Sequence, residues 1–169
     1  LLDMLGNIAG KPAGLLIGDM LNPEVDIYLG HHLAKFRNLE PGVSLEFMEK
    51  DRIETKAKAI KLRAGRGDNL ASDIDNAPGR TEKLIRMARE KFGDETVLMI
   101  DGNGSYSVNE AIRIGKILEE YNYYFYEEPV PWDWYEEQKI VEQALRIPMA
   151  GGEEEFGMHA FRYLIGNEV

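Results

Sequence analysis

Three apolar runs in this chain are each followed by an acid, and the acids are evenly spaced. Residues 97–100 lead to Asp101, residues 123–126 lead to Glu127, and residues 147–152 lead to Glu153. The interval is 26 residues from Asp101 to Glu127 and 26 again from Glu127 to Glu153. One strand, one helix and two short loops fill about that length. The spacing therefore predicts a repeated strand–helix unit with an acid at the same point of each. Carboxylates at equivalent ends of neighbouring strands make an oxygen-rich site for a hard divalent cation.

The rest of the chain supports the alternation. Residues 1–10 have a helical pattern, with Leu1, Leu2, Leu5 and Ile8 on one face and Gly10-Lys11-Pro12 as a stop. Residues 25–29 are expected to form a first strand, with His31 and His32 just beyond it, and residues 37–56 to be irregular, around the turn signal Leu39-Glu40-Pro41-Gly42. A second strand is expected over 59–63, placing Lys61 and Arg63 on one face and Ile60 and Leu62 on the other. A polar loop, 65–77, precedes a helix over 78–92 that stops at Gly93. Ser107-Val108-Asn109-Glu110 reads as a capping box opening a helix to Tyr121, and Asp133 as the cap of a helix to Leu145. Strands over 97–100, 123–126 and 147–150 and a last helix over 158–165 complete the pattern.

Strand–helix alternation means a parallel sheet covered by helices, either doubly wound or a (β/α)8-type, TIM-like barrel. The acids favour the α/β barrel. Consecutive barrel strands are neighbours roughly 4.8 Å apart, and their C-terminal ends carry the active site. A doubly wound sheet binds at a reversal of strand order, usually beside a glycine-rich phosphate loop, and Gly65-Arg66-Gly67 matches such a loop poorly. About five strands are present, so the chain reads as the first part of a barrel and a piece of a longer protein.

Composition removes other classes. A net charge of −10 argues against nucleic acid and against an anionic membrane surface. With no Cys there is no disulfide, thiolate nucleophile or zinc–thiolate site, which suits a cytoplasmic location. No apolar run approaches transmembrane length.

The residues near the acids suggest chemistry. Lys61 and Arg63 face the same side as the acids and can hold an anionic substrate against a metal ion. A guanidinium keeps its proton, so Arg63 suits a clamp on a carboxylate or oxyanion. Lys61 can act as a base if burial and Arg63 lower its pKa, whereas the acids push it up. Asn103 can contribute only hydrogen bonds. His32 is a candidate substrate contact from the first strand, and His159 reads as a helix-surface residue. Glu128 reads as a supporting acid, and Glu154 and Glu155 as loop or helix-start charges, so Glu153 is the ligand chosen from three adjacent acids. Trp132 and Trp134 read as packing or a pocket rim.

Taken together, Lys61-Leu62-Arg63, Ile100-Asp101-Gly102-Asn103, Tyr126-Glu127-Glu128-Pro129 and Gly151-Gly152-Glu153 resemble the first half of the barrel of an enolase-superfamily enzyme of the mandelate racemase/muconate lactonizing enzyme type. The resemblance covers essentially the whole chain. It implies that residues 1–12 end a helix leading out of a capping domain and that residues 13–169 form the N-terminal part of the barrel. It implies that Asp101, Glu127 and Glu153 bind Mg²⁺ and that the α-proton of a small carboxylate, often a sugar acid, is abstracted. A homo-oligomer is expected. The family usually carries Lys-X-Lys on the second strand, and Arg63 departs from that pattern. The departure points away from two-base racemisation and toward acid-sugar dehydratases, which are lyases using a His–Asp pair from later strands. A racemase, epimerase or cycloisomerase of the same superfamily is the alternative. A metal-binding or oligomer-forming barrel without turnover is the reading from another class.

Overall fold

The computed structural model of the chain describes residues 1–30 and 40–167. Helix α1, Leu2–Ala9, ends at Gly10, whose φ of 61° is left-handed and suits a residue without Cβ. Its apolar residues Leu1, Leu2, Leu5 and Ile8 are all exposed. A 3₁₀ turn follows at Ala13–Leu16. From there strands and helices alternate: β1 (Leu29–Gly30), α2 (Pro41–Thr55), β2 (Ala59–Arg63), α3 (Arg80–Phe92), β3 (Val97–Asp101), α4 (Val108–Glu120), β4 (Tyr126–Glu127), α5 (Tyr135–Ala144), β5 (Met149–Ala150) and α6 (Met158–Asn167). No helix among the described residues is long and apolar enough to cross a membrane.

The strands form one parallel sheet in the order β1-β2-β3-β4-β5. There is no reversal of strand order, so the doubly wound alternative is excluded and the sheet is the leading part of a barrel. One side of the sheet packs on the helices. Ile60, Leu62, Leu98, Ile100 and Tyr126 are fully buried there against Leu84 and Ile85 of α3 and Ile114 and Leu118 of α4. Arg89 ties this layer together from α3. Its guanidinium donates to the carbonyls of Gly93, Thr96, Tyr121 and Asn122, fixing where α3 and α4 end.

Several expectations need correction. Residues 37–56 are not all irregular, since α2 covers Pro41–Thr55. Pro41 is its first residue, a position where the missing N–H is no loss. Among the described residues the first strand begins at Leu29 and covers Leu29–Gly30, and Val25 and Ile27 are exposed. The fourth and fifth strands narrow to Tyr126–Glu127 and Met149–Ala150. Asp133 does not cap α5, whose N-cap is Trp134 with no side-chain bond. The Ser107 cap is present, its hydroxyl accepting from the Glu110 N–H at 3.5 Å.

Candidate metal centre

Register explains which side chains meet. Arg63 pairs with Asp101 across β2–β3, and Asp101 with Glu127 across β3–β4. Paired residues of a parallel ladder share a face, so these three form a row at the C-terminal rim. The next pair is Glu127 with Ala150. Glu153 is therefore not the register equivalent of the other two, despite the equal spacing, and it enters from the loop after β5. One carboxylate oxygen from each of Asp101, Glu127 and Glu153 nonetheless lies within 4.8 Å of the others. Asp101 is buried, Glu127 half-buried and Glu153 exposed, so the cluster opens to solvent on the β5 side.

Two cations and one amide hold the acids together. Lys61 Nζ lies 2.6 Å from Glu127 Oε2 and 3.4 Å from Asp101 Oδ2. Arg63 Nη1 lies 2.5 Å from Asp101 Oδ2 and also donates to Asn103 Oδ1. Asn103 donates its backbone N–H to Asp101 Oδ1 at 2.9 Å and its amide to Glu153 Oε1 at 3.3 Å. The structure thus brings Lys61, Arg63, Asp101, Asn103, Glu127 and Glu153 to one place. His32 lies outside the described residues.

The chain matches the family described as Enolase C-terminal domain-like over residues 45–169. It belongs to that family.

Curated relatives include an arabinonate dehydratase of Saccharolobus solfataricus, 26% identical over 89% of this chain and 37% of that protein. A 3,6-anhydro-alpha-L-galactonate cycloisomerase of Streptomyces coelicolor is 30% identical over 94% of this chain and 40% of that protein. Among solved structures, a mandelate racemase/muconate lactonizing protein from Paracoccus denitrificans, complexed with magnesium, superposes with a TM-score of 0.83 at 28% identity, over 97% of this chain and 43% of that one. The chain spans about two-fifths of the length of these proteins. In this enolase-type barrel, then, the parallel sheet is an N-terminal portion, and the relatives are enzymes of more than one reaction type.

The electrostatics of the enolase-type rim show an excess of negative charge. Burial pushes the Glu127 carboxyl above its ordinary value; the hydrogen bond from Lys61 opposes this, and the charges of Asp101 and Glu153 add to it. Glu128 is buried, has no hydrogen-bond partner for Oε1 among the described residues, and is pushed up to about 7 by burial and by Glu153, Asp101 and Glu127. For Lys61, burial lowers the pKa, but the hydrogen bond to Glu127 and the charges of Asp101 and Glu127 outweigh it, and the net shift is upward. The donor set fits a hard divalent ion. Oxygens around an octahedral ion at about 2.0–2.1 Å lie about 3–4 Å from one another, and the oxygens of these three acids lie within 4.8 Å of one another.

Sequence reasoning missed two neighbours of the centre. The Tyr28 ring centroid lies 5.3 Å from Lys61 Nζ, a cation–π contact. Its signal was the alternation that puts residue 28 on the same face as residue 30, the register partner of Lys61. The second is Asn69, whose N–H donates to the Asn103 carbonyl at 3.1 Å; it lies in a polar loop, and nothing in its immediate sequence marks it.

Proposed function

We propose that Asp101, Glu127 and Glu153 hold one Mg²⁺ and that the whole protein abstracts the α-proton of a carboxylate substrate, most specifically in dehydrating a sugar acid to a 2-keto-3-deoxy acid. The observation that carries this reading is the convergence of three carboxylates beside Lys61 and Arg63. Bound there, Mg²⁺ supplies a Lewis acid that stabilises the negative charge developing on the substrate as its α-proton leaves. The chain's own residues do the remaining work. Arg63, always protonated, orients the substrate anion through its guanidinium. Lys61, whose surroundings favour the ammonium, donates to the same charge and is better placed as an electrostatic partner than as the base. Asn103 and His32 are the proposed substrate contacts. The proton itself is assigned to a His–Asp pair on later strands, as the resemblance implies.

The same reading makes residues 1–12 the end of a capping-domain helix, supported by the uncovered apolar face of α1, and residues 13–169 the start of the barrel. It places the protein in the cytoplasm as a homo-oligomer, on the family resemblance and the absence of Cys. The test is to incubate the full-length protein with Mg²⁺ and a panel of sugar acids. A 2-keto-3-deoxy product from one of them supports the dehydratase, and none from any of them counts against it. The similarity to a cycloisomerase favours isomerisation as the second reading. Solvent deuterium entering a substrate without loss of water would select it.

A further inference from the structure

The loops after β2, β3 and β4 meet on one side chain. Residues 67–73 lie along residues 103–105 and bond to them in steps. The Asn69 N–H donates to the Asn103 carbonyl at 3.1 Å, Ala71 to Gly104 at 3.0 Å and Asp73 to Ser105 at 3.0 Å. All three donors have positive φ, 54°, 47° and 56°, which turns alternate N–H groups toward the same partner segment. The Gly67 N–H adds a bond to Ser105 Oγ at 2.6 Å, and that hydroxyl donates to the Gly102 carbonyl at 2.6 Å. The Asn69 side chain does more than its neighbours. Its Oδ1 accepts the Trp132 N–H at 3.2 Å, from the segment that follows β4. It also lies over Gly104 so closely that any Cβ there would overlap it.

This strap ends on the acids. Asn103, the first residue it grips, has a φ of 42°, uncommon for a residue with a side chain. That backbone posture aims its N–H at Asp101 and its amide at Glu153. Trp132 lies a few residues past Glu127, so the same side chain anchors the segment leaving the second acid.

We propose that Asn69 is a positioning residue for the metal centre: its side chain seats Gly104 and so the adjoining Asn103, which bonds Asp101 and Glu153, and it steadies the exit from Glu127 through the Trp132 N–H. The proposal rests on the reading of the three acids as metal ligands. Asn suits the position because it combines an acceptor with tolerance of a left-handed backbone. Partners that orient metal ligands without touching the ion typically matter by 10- to 100-fold in affinity.

The test uses full-length protein with Mn²⁺ as the probe, its affinity measured by electron paramagnetic resonance of the free ion, together with melting of the metal-free protein. Asn69→Gly removes the acceptor and the side chain lying over Gly104, while it keeps the backbone N–H and tolerates the positive φ. Asn69→Asp restores the acceptor. The expected result is an Mn²⁺ Kd raised about tenfold or more in Asn69→Gly, a metal-free melting temperature within a few degrees of the parent, and recovery of the Kd in Asn69→Asp. An unchanged Kd in Asn69→Gly, in a protein whose Mn²⁺ binding is abolished by Glu153→Gln, overturns the positioning role and leaves the metal reading intact. A weaker Kd that only follows a large fall in melting temperature, with no recovery in Asn69→Asp, also overturns it. If the parent protein takes up no Mn²⁺, the reading of the three acids fails and this role fails with it.

Discussion

The two faces of β2 and β3 obey opposite rules. On the helix side, Ile60, Leu62, Leu98 and Ile100 are completely buried among apolar neighbours, and burial of such side chains is the main source of stability. On the other side, Arg63 and Asp101 stand in a row that continues to Glu127, and Lys61 shares their face two residues earlier on β2. There the carboxylates outnumber what the two cations neutralise, and burial with mutual repulsion raises Glu127 and Glu128. A fold selected only for stability has no reason to collect these charges. The comparison teaches that the helix side stabilises the sheet, while the rim is strained electrostatically in a way that a divalent ion relieves.

The comparison breaks most sharply at Glu153. It is exposed and, among the described residues, receives one hydrogen bond, from Asn103. Glu153→Gln is expected to lower kcat about a thousandfold, equivalent to about 4 kcal/mol of barrier, with little change in melting temperature. Glu154→Gln, one residue on, is expected to leave the rate within about twofold, since surface substitutions away from a site are nearly neutral. Steady-state kinetics of both variants tests the choice among the three adjacent acids. The opposite behaviour is expected of Leu62→Ala. It opens a cavity on the helix side and costs about 2–5 kcal/mol of stability by denaturant titration, with Mg²⁺ affinity of the folded protein unchanged.

A smaller effect concerns pH. Glu128 and Glu127 have folded-state pKa values raised above the ordinary 4.5, Glu128 to about 7. The folded protein therefore binds more protons than the unfolded chain in that interval, and ionisation destabilises it. With metal removed by chelator, stability should fall as pH rises from 4.5 to about 7. Saturating Mg²⁺ should flatten that slope, as melting curves across the range would show. The smallest effect is Ser107→Ala, which removes the α4 cap and should cost about 0.5–1 kcal/mol by chemical denaturation.

How much of this could be read from the sequence follows from the same two faces. The β2 strand emerges with its bounds intact because its apolar and charged residues alternate strictly. The α2 helix was hidden because Pro41-Gly42 mimics a turn and its apolar residues split between buried Leu45 and Met48 and exposed Val43, Phe47 and Ile53. The first strand was started too early because Val25 and Ile27 alternate correctly but are exposed, and among the described residues the pairing with β2 begins at Leu29. The acids at the rim were visible as a spacing, yet equal spacing did not mean equal register, since Glu127 pairs with Ala150. Asn69 was invisible because its role depends on three loops that meet only in space.

The most direct test is a crystal structure of the full-length protein grown with Mg²⁺, paired with anomalous data from an Mn²⁺ soak. The account predicts one anomalous peak at the rim, with one oxygen from each of Asp101, Glu127 and Glu153 at about 2.0–2.1 Å from the Mg²⁺. A protein soaked in metal whose three carboxylates point apart, or whose ion sits elsewhere, would contradict it.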